Sequence, residues 1–287
     1  MDVSQIEFYP VPNRERGDRM PRNARRRSST DLYHVIARGI NKEPIFKQKR
    51  EKNNFIRLLL KHLKDRDIEI YAYVIMSTHF HILIRVDLKL LSSYLAIVLA
   101  EFAEYYNFKH NRNGHVFQDR FKSECVETPQ YFWNCIRYIH MNPVNANVVK
   151  APLNYTFSSL KEYETGKSQI IHPKAIDFYK SEFTDFKEFL AFHTKTQRQI
   201  FLDIPEEVEI QLIKAALNLL GQEAYLNGFE SPQEIIESIE MRRRYKEKLQ
   251  KELKISKAKT ERLYRHVKSC TSLAQQDRQD CLLILPL

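Results

Sequence analysis

Two histidines separated by a single residue, His79 and His81, stand within the apolar run YAYVIMSTHFHILIRV that spans residues 71–86. Imidazole is the side chain best suited both to proton transfer near neutral pH and to holding a divalent metal. In an extended strand successive side chains alternate between faces, so His79 and His81 share one face, while Phe80, Ile82, Ile84 and Val86 line the other. Such a pair on a rigid strand is half of a metal site and needs further ligands from another element. The segment YIHMN supplies candidates: Tyr138 and Asn142 are four residues apart, so on a helix a phenol and an amide oxygen lie one turn from each other on one face. A cation held by two imidazoles and one amide oxygen keeps open positions and can polarise and orient a phosphodiester. A phenol beside it then has a target, because assisted tyrosine is a covalent nucleophile, and strand cleavage would store the bond energy as a phosphotyrosine. His140 falls about 200° round the helix from Tyr138 and reads as packing. The plainer alternative stays open at this point, since short motifs recur by chance and a helical tyrosine is more often a packing residue.

The elements that position these groups are legible from periodicity and punctuation. LYHVIARG (32–39) alternates like a short strand, and residues 49–64 carry Phe55, Leu58, Leu59 and Leu63 at helical spacing. Residues 71–76 and 79–86 read as a hairpin closed by Ser77 and Thr78. A long helix is expected over 90–108, and HVFQDRFKSECVE (115–127) as two short strands or an extended ribbon. Thr128 and Pro129 form a helix start, and PQYFWNCIRYIHMN is expected to end at Asn142, stopped by Pro143. Residues 166–204 read as a connecting region with short helices. The segment 205–268 is helical in pattern, with a helix beginning at Ser231, Pro232 and Glu234 and running into MRRRYKEKLQKELK. Its last part has the form of a helix-turn-helix in which Ser256 opens a recognition helix carrying Lys257, Lys259, Arg262 and Arg265 toward DNA; a solvated basic helix is the competing reading. Residues 269–287 read as a tail.

Charge narrows the partner. With 46 Lys plus Arg against 36 Asp plus Glu, the formal net charge of +10 points to a polyanion, nucleic acid first and an anionic membrane surface second. Lys109, Arg112, Arg120 and Lys122 alternate with Phe117 and Phe121, a mixture that grips a phosphate backbone while stacking bases. Arg120 and Lys122 are the preferred phosphate contacts; ordinary strand aromatics among solvated charges are the alternative. Residues 1–30, rich in arginine (Arg14, Arg16, Arg19, Arg22, Arg25, Arg26, Arg27), read as a disordered tail that also serves as a phosphate-binding arm. No run of 18 apolar residues and no apolar leader is present, so a soluble, cytoplasmic, nucleoid-associated protein is expected. Cys125, Cys135, Cys270 and Cys281 lack C-x-x-C spacing and are expected as thiols. Six glycines and no glycine-rich phosphate loop or G-x-S-x-G elbow leave nucleotide-triphosphate and serine hydrolysis poorly supported, and a zinc hydrolase lacks its H-E-x-x-H.

His79-Phe80-His81 after YAYVIMST, followed by YIHMNPVNANVV (138–149), with YHVIARGINKEPIF (33–46) and GHVFQDRFKS (114–123) between and before them, resembles the HUH-type single-tyrosine transposases, specifically the REP-associated group related to insertion-sequence transposases. The resemblance covers about residues 20–165. It implies an α+β domain over 31–165, a central antiparallel sheet flanked by helices in a ferredoxin-like arrangement, with a mostly α-helical region after it. It also implies Mg²⁺ or Mn²⁺ at His79 and His81 with Asn142 as third ligand. Tyr138 would attack a single-stranded or hairpin DNA to leave a 5'-phosphotyrosine and a free 3'-OH, with rejoining by the reverse step. A monomer or homodimer fits equally, and a DNA-binding regulator that no longer cuts is the alternative function.

Overall fold

The computed structural model describes residues 25–195 and 200–273. The arginines at 14, 16, 19 and 22 and the C-terminal stretch 274–287, with Cys281, lie outside the described residues. The chain divides into two compact units, one of residues 23–197 and one that includes 198–287.

The first unit is built on four strands, β1 (Leu32–Arg38), β2 (Glu69–Ile75), β3 (His79–Arg85) and β4 (Lys122–Cys125). They form one sheet in the order β2-β3-β1-β4, and every neighbouring pair is antiparallel. Helix α1 (Lys49–Leu63) connects β1 to β2, and α2 (Leu88–His110) connects β3 to β4. Two crossing helices between strands in this order make the ferredoxin-like arrangement, α+β with an antiparallel sheet. Both helices lie on one face of the sheet, where Phe80 of β3 meets Phe55 of α1 and Phe46 at ring-centroid distances of 4.7 and 6.3 Å. Phe102 of α2 closes that cluster at 4.8 Å from Phe46. The opposite face is covered too, by α3 (Pro129–Asn145), which is why all seven residues of β2 are buried instead of alternating. Tyr94, which nothing in the sequence distinguishes, is fully buried in α2 and donates to the Leu59 carbonyl at 3.1 Å.

Several expectations shift by a turn or less, each for a local reason. The ribbon expected over 115–127 contains one strand, β4, plus an isolated bridge between Gly39 and Phe117. Helix α3 starts as expected, with the Thr128 side chain accepting from the Tyr131 N–H at 3.1 Å, yet it does not stop before Pro143. Pro143 sits inside its last turn: the missing N–H forfeits one bond, and the chain continues because Ala146 N–H still reaches the Asn142 carbonyl at 3.0 Å. Residues 25–30, read as tail, are held by specific contacts: the Arg25 guanidinium lies 3.8 Å over the Phe121 ring, and Thr30 Oγ1 donates to the Val126 carbonyl at 2.6 Å.

The region 166–204 carries short helices, as read from the sequence. It holds α5 (Pro173–Glu182) and α6 (Phe186–Thr194), after the short α4 (Leu160–Thr165), and α6 packs on α3 through Trp133 and Phe189. The second unit is an all-helical cluster of α7 (Pro205–Leu226), α8 (Pro232–Glu237), α9 (Ile239–Glu252) and α10 (Lys257–Leu273). Leu212, Ala216, Leu220, Ile235, Tyr245, Leu249, Leu263 and Val267 form its core. The single helix expected from Ser231 onward is interrupted at Ser238, whose extended backbone (φ −70°, ψ 125°) ends α8 and whose side chain accepts from Met241 N–H to cap α9. Among the described residues no helix is long and apolar enough to cross a membrane.

Candidate catalytic and metal-binding site

The face of the sheet beneath α3 carries the imidazoles. Antiparallel partners point to the same side, and the register sets Arg38 opposite His79, Ile36 opposite His81 and His34 opposite Leu83. On the other edge of β1, Ile36 faces Lys122 and His34 faces Glu124. His79, His81, His34, Arg38, Lys122 and Glu124 therefore project from one surface of three adjacent strands. Ser77 and Thr78 close the hairpin as read from the sequence, with Met76 N–H donating to the His79 carbonyl at 2.9 Å. The turn is held at its flank by Gly39, whose N–H donates to the Thr78 carbonyl at 2.8 Å. A side chain at Gly39 has no room: its Cβ would lie 2.4 Å from the Glu43 carbonyl oxygen.

The expected halves of the site meet. The Tyr138 ring stands perpendicular to His81 at a centroid distance of 5.6 Å and edge-on to His34 at 5.9 Å. One turn later, the Asn142 side-chain amide is 3.3 Å from His81 Nε2. The His79 and His81 rings are 5.0 Å apart and nearly perpendicular. Each imidazole has its Nδ1 engaged by a neighbour: His79 by Thr78 Oγ1 at 2.9 Å, His81 by His34 Nε2 at 2.9 Å. In each ring Nε2 is the nitrogen that could hold a metal. A half-turn of the Asn142 amide brings its oxygen to face His81 Nε2. Two imidazole nitrogens and an amide oxygen are a mixed nitrogen–oxygen donor set that suits a divalent cation of intermediate hardness. Tyr138, His79, His81 and Asn142 are all buried, at 3%, 1%, 0% and 1% exposure.

His140 stays off this face. Its ring bonds to His193 Nε2 at 2.9 Å and to Ser159 Oγ at 2.8 Å, and Ser159 in turn accepts from the Tyr73 N–H at 3.0 Å. Burial, joined by the charge of His193, holds the His140 imidazole far below its usual pKa, and burial lowers His193 to about 4, so both are neutral bonding groups that tie α3 to α6 and to β2.

The basic residues separate into two sets. Arg120 and Lys122 are exposed, with Lys122 on the imidazole face. Lys109 is exposed at the end of α2, whereas Arg112 is half-buried, ion-paired with Glu43 and 5.6 Å from the Tyr106 ring centroid. Arg38, which the sequence did not distinguish from other strand residues, lies directly across from His79 with Nε donating to Gln118 Oε1 at 2.6 Å. Only the strand register exposes it. In α10, Lys259 and Arg262 are ion-paired with Glu209 of α7 at 3.3 and 3.2 Å, while Lys257 and Arg265 are exposed.

The first unit is thus an antiparallel α+β domain with paired imidazoles on a central strand and a phenol and an amide presented by a covering helix. Residues 28–142 match the family model described as "Transposase IS200 like", a match that supports a transposase-type function. A solved structure described as "Structure of the REP associates tyrosine transposase bound to a REP hairpin" is similar at 18% identity and a TM-score of 0.43, over 53% of this chain and 91% of that one. No curated protein matches the chain significantly.

Proposed function

We propose that this protein cleaves and rejoins single-stranded or hairpin DNA, with Tyr138 as nucleophile and His79, His81 and Asn142 as ligands for Mg²⁺ or Mn²⁺. The observation that carries the reading is the convergence of the Tyr138 ring and the Asn142 amide on His81, from an element 57 residues downstream in the chain and separately folded onto the sheet. When bound, the cation supplies Lewis-acid polarisation of the scissile phosphate. Everything else falls to side chains. Lys122 and Arg38 sit on the imidazole face, where guanidinium and ammonium groups position a phosphate backbone. Lys109, Arg112 and Arg120 are further candidate phosphate contacts, Arg112 with its charge already partly answered by Glu43. Tyr138 attacks phosphorus, its proton leaves the phenol oxygen, a P–O bond to tyrosine forms, and the departing sugar oxygen takes up a proton as the 3'-OH. Rejoining reverses those steps without loss of bond energy.

The test is incubation of the full chain with end-labelled single-stranded and hairpin oligonucleotides and Mn²⁺, followed by denaturing gels. A covalent protein–DNA adduct that Tyr138→Phe abolishes supports the reading; no adduct across a broad sequence panel sinks it. The near-complete burial of Tyr138 and both imidazoles favours one other reading, a DNA-binding protein of transposase descent that does not cut. Tight, steeply salt-dependent binding without any adduct is its signature.

A further inference from the structure

His34 takes no part in the chemistry proposed above, yet it is fully buried beside the proposed ligand His81. The two rings are close to parallel, 5.2 Å apart, with His34 Nε2 2.9 Å from His81 Nδ1. On its far side His34 Nδ1 lies 3.9 Å from the Glu124 carboxylate, on the strand residue directly opposite in the sheet. Only one hydrogen fits between the two facing ring nitrogens, so one imidazole donates and the other accepts. If His34 donated, its Nδ1 lone pair would face the Glu124 carboxylate, and the His81 proton would sit on Nε2, the atom next to Asn142. If His81 donates, the His34 proton sits on Nδ1 and points at the carboxylate, while His81 Nε2 keeps its lone pair. Coulomb's law separates the two at this distance: a lone pair against a negative charge is repelled and an N–H is attracted.

We propose that His34, oriented by Glu124, is a positioning residue that accepts the Nδ1 proton of His81 and so fixes the tautomer offering Nε2 to a divalent cation. Carboxylate–histidine support of this kind holds a ligating ring in orientation and raises its basicity. Only the final clause rests on the proposed function, since the tautomer is a property of the metal-free protein. His34 also meets the Tyr138 ring edge-on, so the same side chain backs two members of the site.

The experiment uses the full chain labelled with ¹⁵N-histidine, comparing wild type with His34→Gln, His34→Leu and Glu124→Ala, each checked for folding by circular dichroism. Long-range ¹H–¹⁵N correlation spectra read the His81 tautomer without metal, and electron paramagnetic resonance of free Mn²⁺ reads affinity. In the wild type His81 is expected to carry its proton on Nδ1. His34→Gln, whose amide oxygen accepts the same proton, should keep that tautomer and most of the affinity. His34→Leu should release it to a mixture and weaken Mn²⁺ binding by about 10–100-fold. Should His34→Leu not fold, Glu124→Ala, a change at a partly exposed position, carries the test through a shift of the same tautomer signals. A wild-type His81 protonated on Nε2 overturns the inference, as does an unchanged tautomer and Mn²⁺ affinity in folded His34→Leu or, where that variant does not fold, in Glu124→Ala. A wild type that binds no Mn²⁺ but shows the Nδ1 tautomer and its loss in the variants supports the tautomer assignment and removes the metal reading instead.

Discussion

At the scale of single residues, the site separates atoms that do chemistry from atoms that aim them. The Tyr138 hydroxyl is the only group proposed to form a covalent bond, so Tyr138→Phe should leave the fold and DNA binding intact while eliminating the adduct, as read by gel shift and denaturing electrophoresis on the same oligonucleotide. In the proposed site Asn142 contributes one oxygen. Replacing it by Asp keeps an oxygen and adds charge, and replacing it by Leu removes both, so Mn²⁺ affinity should hold or rise in Asn142→Asp and fall in Asn142→Leu. In the proposed function Lys122 and Arg38 act on DNA through charge: Lys122→Ala and Arg38→Ala should each weaken binding about equally across DNA sequences and reduce the salt slope by about 1. Spacing put His79 with His81 on one strand face and Tyr138 with Asn142 on one helix face, and the family resemblance singled these four out from the other histidines, tyrosines and asparagines. Arg38 and His34 were not visible in the sequence, because their relation to the imidazoles is a cross-strand register that no local spacing encodes.

At the scale of elements, the placement of α3 decides whether Tyr138 reaches His81, and α3 is anchored by buried polar bonds as well as by apolar contact. The His193–His140–Ser159 chain joins it to α6 and to β2. Because burial lowers His193 from 6.5 to about 4, the unfolded chain binds more protons than the folded one between those values, and stability, complete above pH 6.5, should decline as pH falls toward 4. A urea midpoint measured across that window should lose part of its slope in His193→Gln. A second acid-sensitive tie sits at the start of β2. Burial alone would raise the Glu69 carboxyl, but hydrogen bonds from Lys174 and Tyr71 and the charge of Arg85 outweigh it and hold it at about 2. This contribution, of about 2 kcal/mol after allowance for the exposure of Lys174 and Arg85, is present above pH 4.5 and lost between 4.5 and 2. The hairpin flank has a steric counterpart. Gly39→Ala should cost about 2–3 kcal/mol by denaturant titration, since the new methyl meets backbone rather than a movable side-chain end.

At the scale of the whole molecule, two units each carry their own core, one under the sheet around Phe46, Phe55, Phe80 and Phe102 and one among four helices around Tyr245 and Leu249. Leu249→Ala should destabilise the helical unit by about 2–5 kcal/mol and lower that unit's own calorimetric transition. The basic surface of α10 is thinner than its sequence suggests, because Glu209 neutralises part of it through Lys259 and Arg262; exposed Lys257 and Arg265 are what remain of the expected recognition face.

By itself the sequence determined the strand and helix types, the hairpin at Ser77 and Thr78, the start of α3 at Thr128, and which residues could share a face. Those are local: they follow from side-chain alternation, helical period and the capping chemistry of a few residues. It misjudged the end of α3 and the break at Ser238, where single local bonds (Ala146 N–H to the Asn142 carbonyl, Met241 N–H to Ser238 Oγ) decide the outcome, and the contacts of residues 25–30, which are made with distant parts of the chain. Only the tertiary structure decided that the phenol and amide face of α3 lies over the His79–His81 face of β3, that His34 and Glu124 stand behind His81, and that His140 belongs to a different network. The physical reason is the same in every case. Strand register and helix docking minimise the burial of unpaired polar groups across the whole domain, so they are set by the sum of long-range contacts and not by any one stretch of residues.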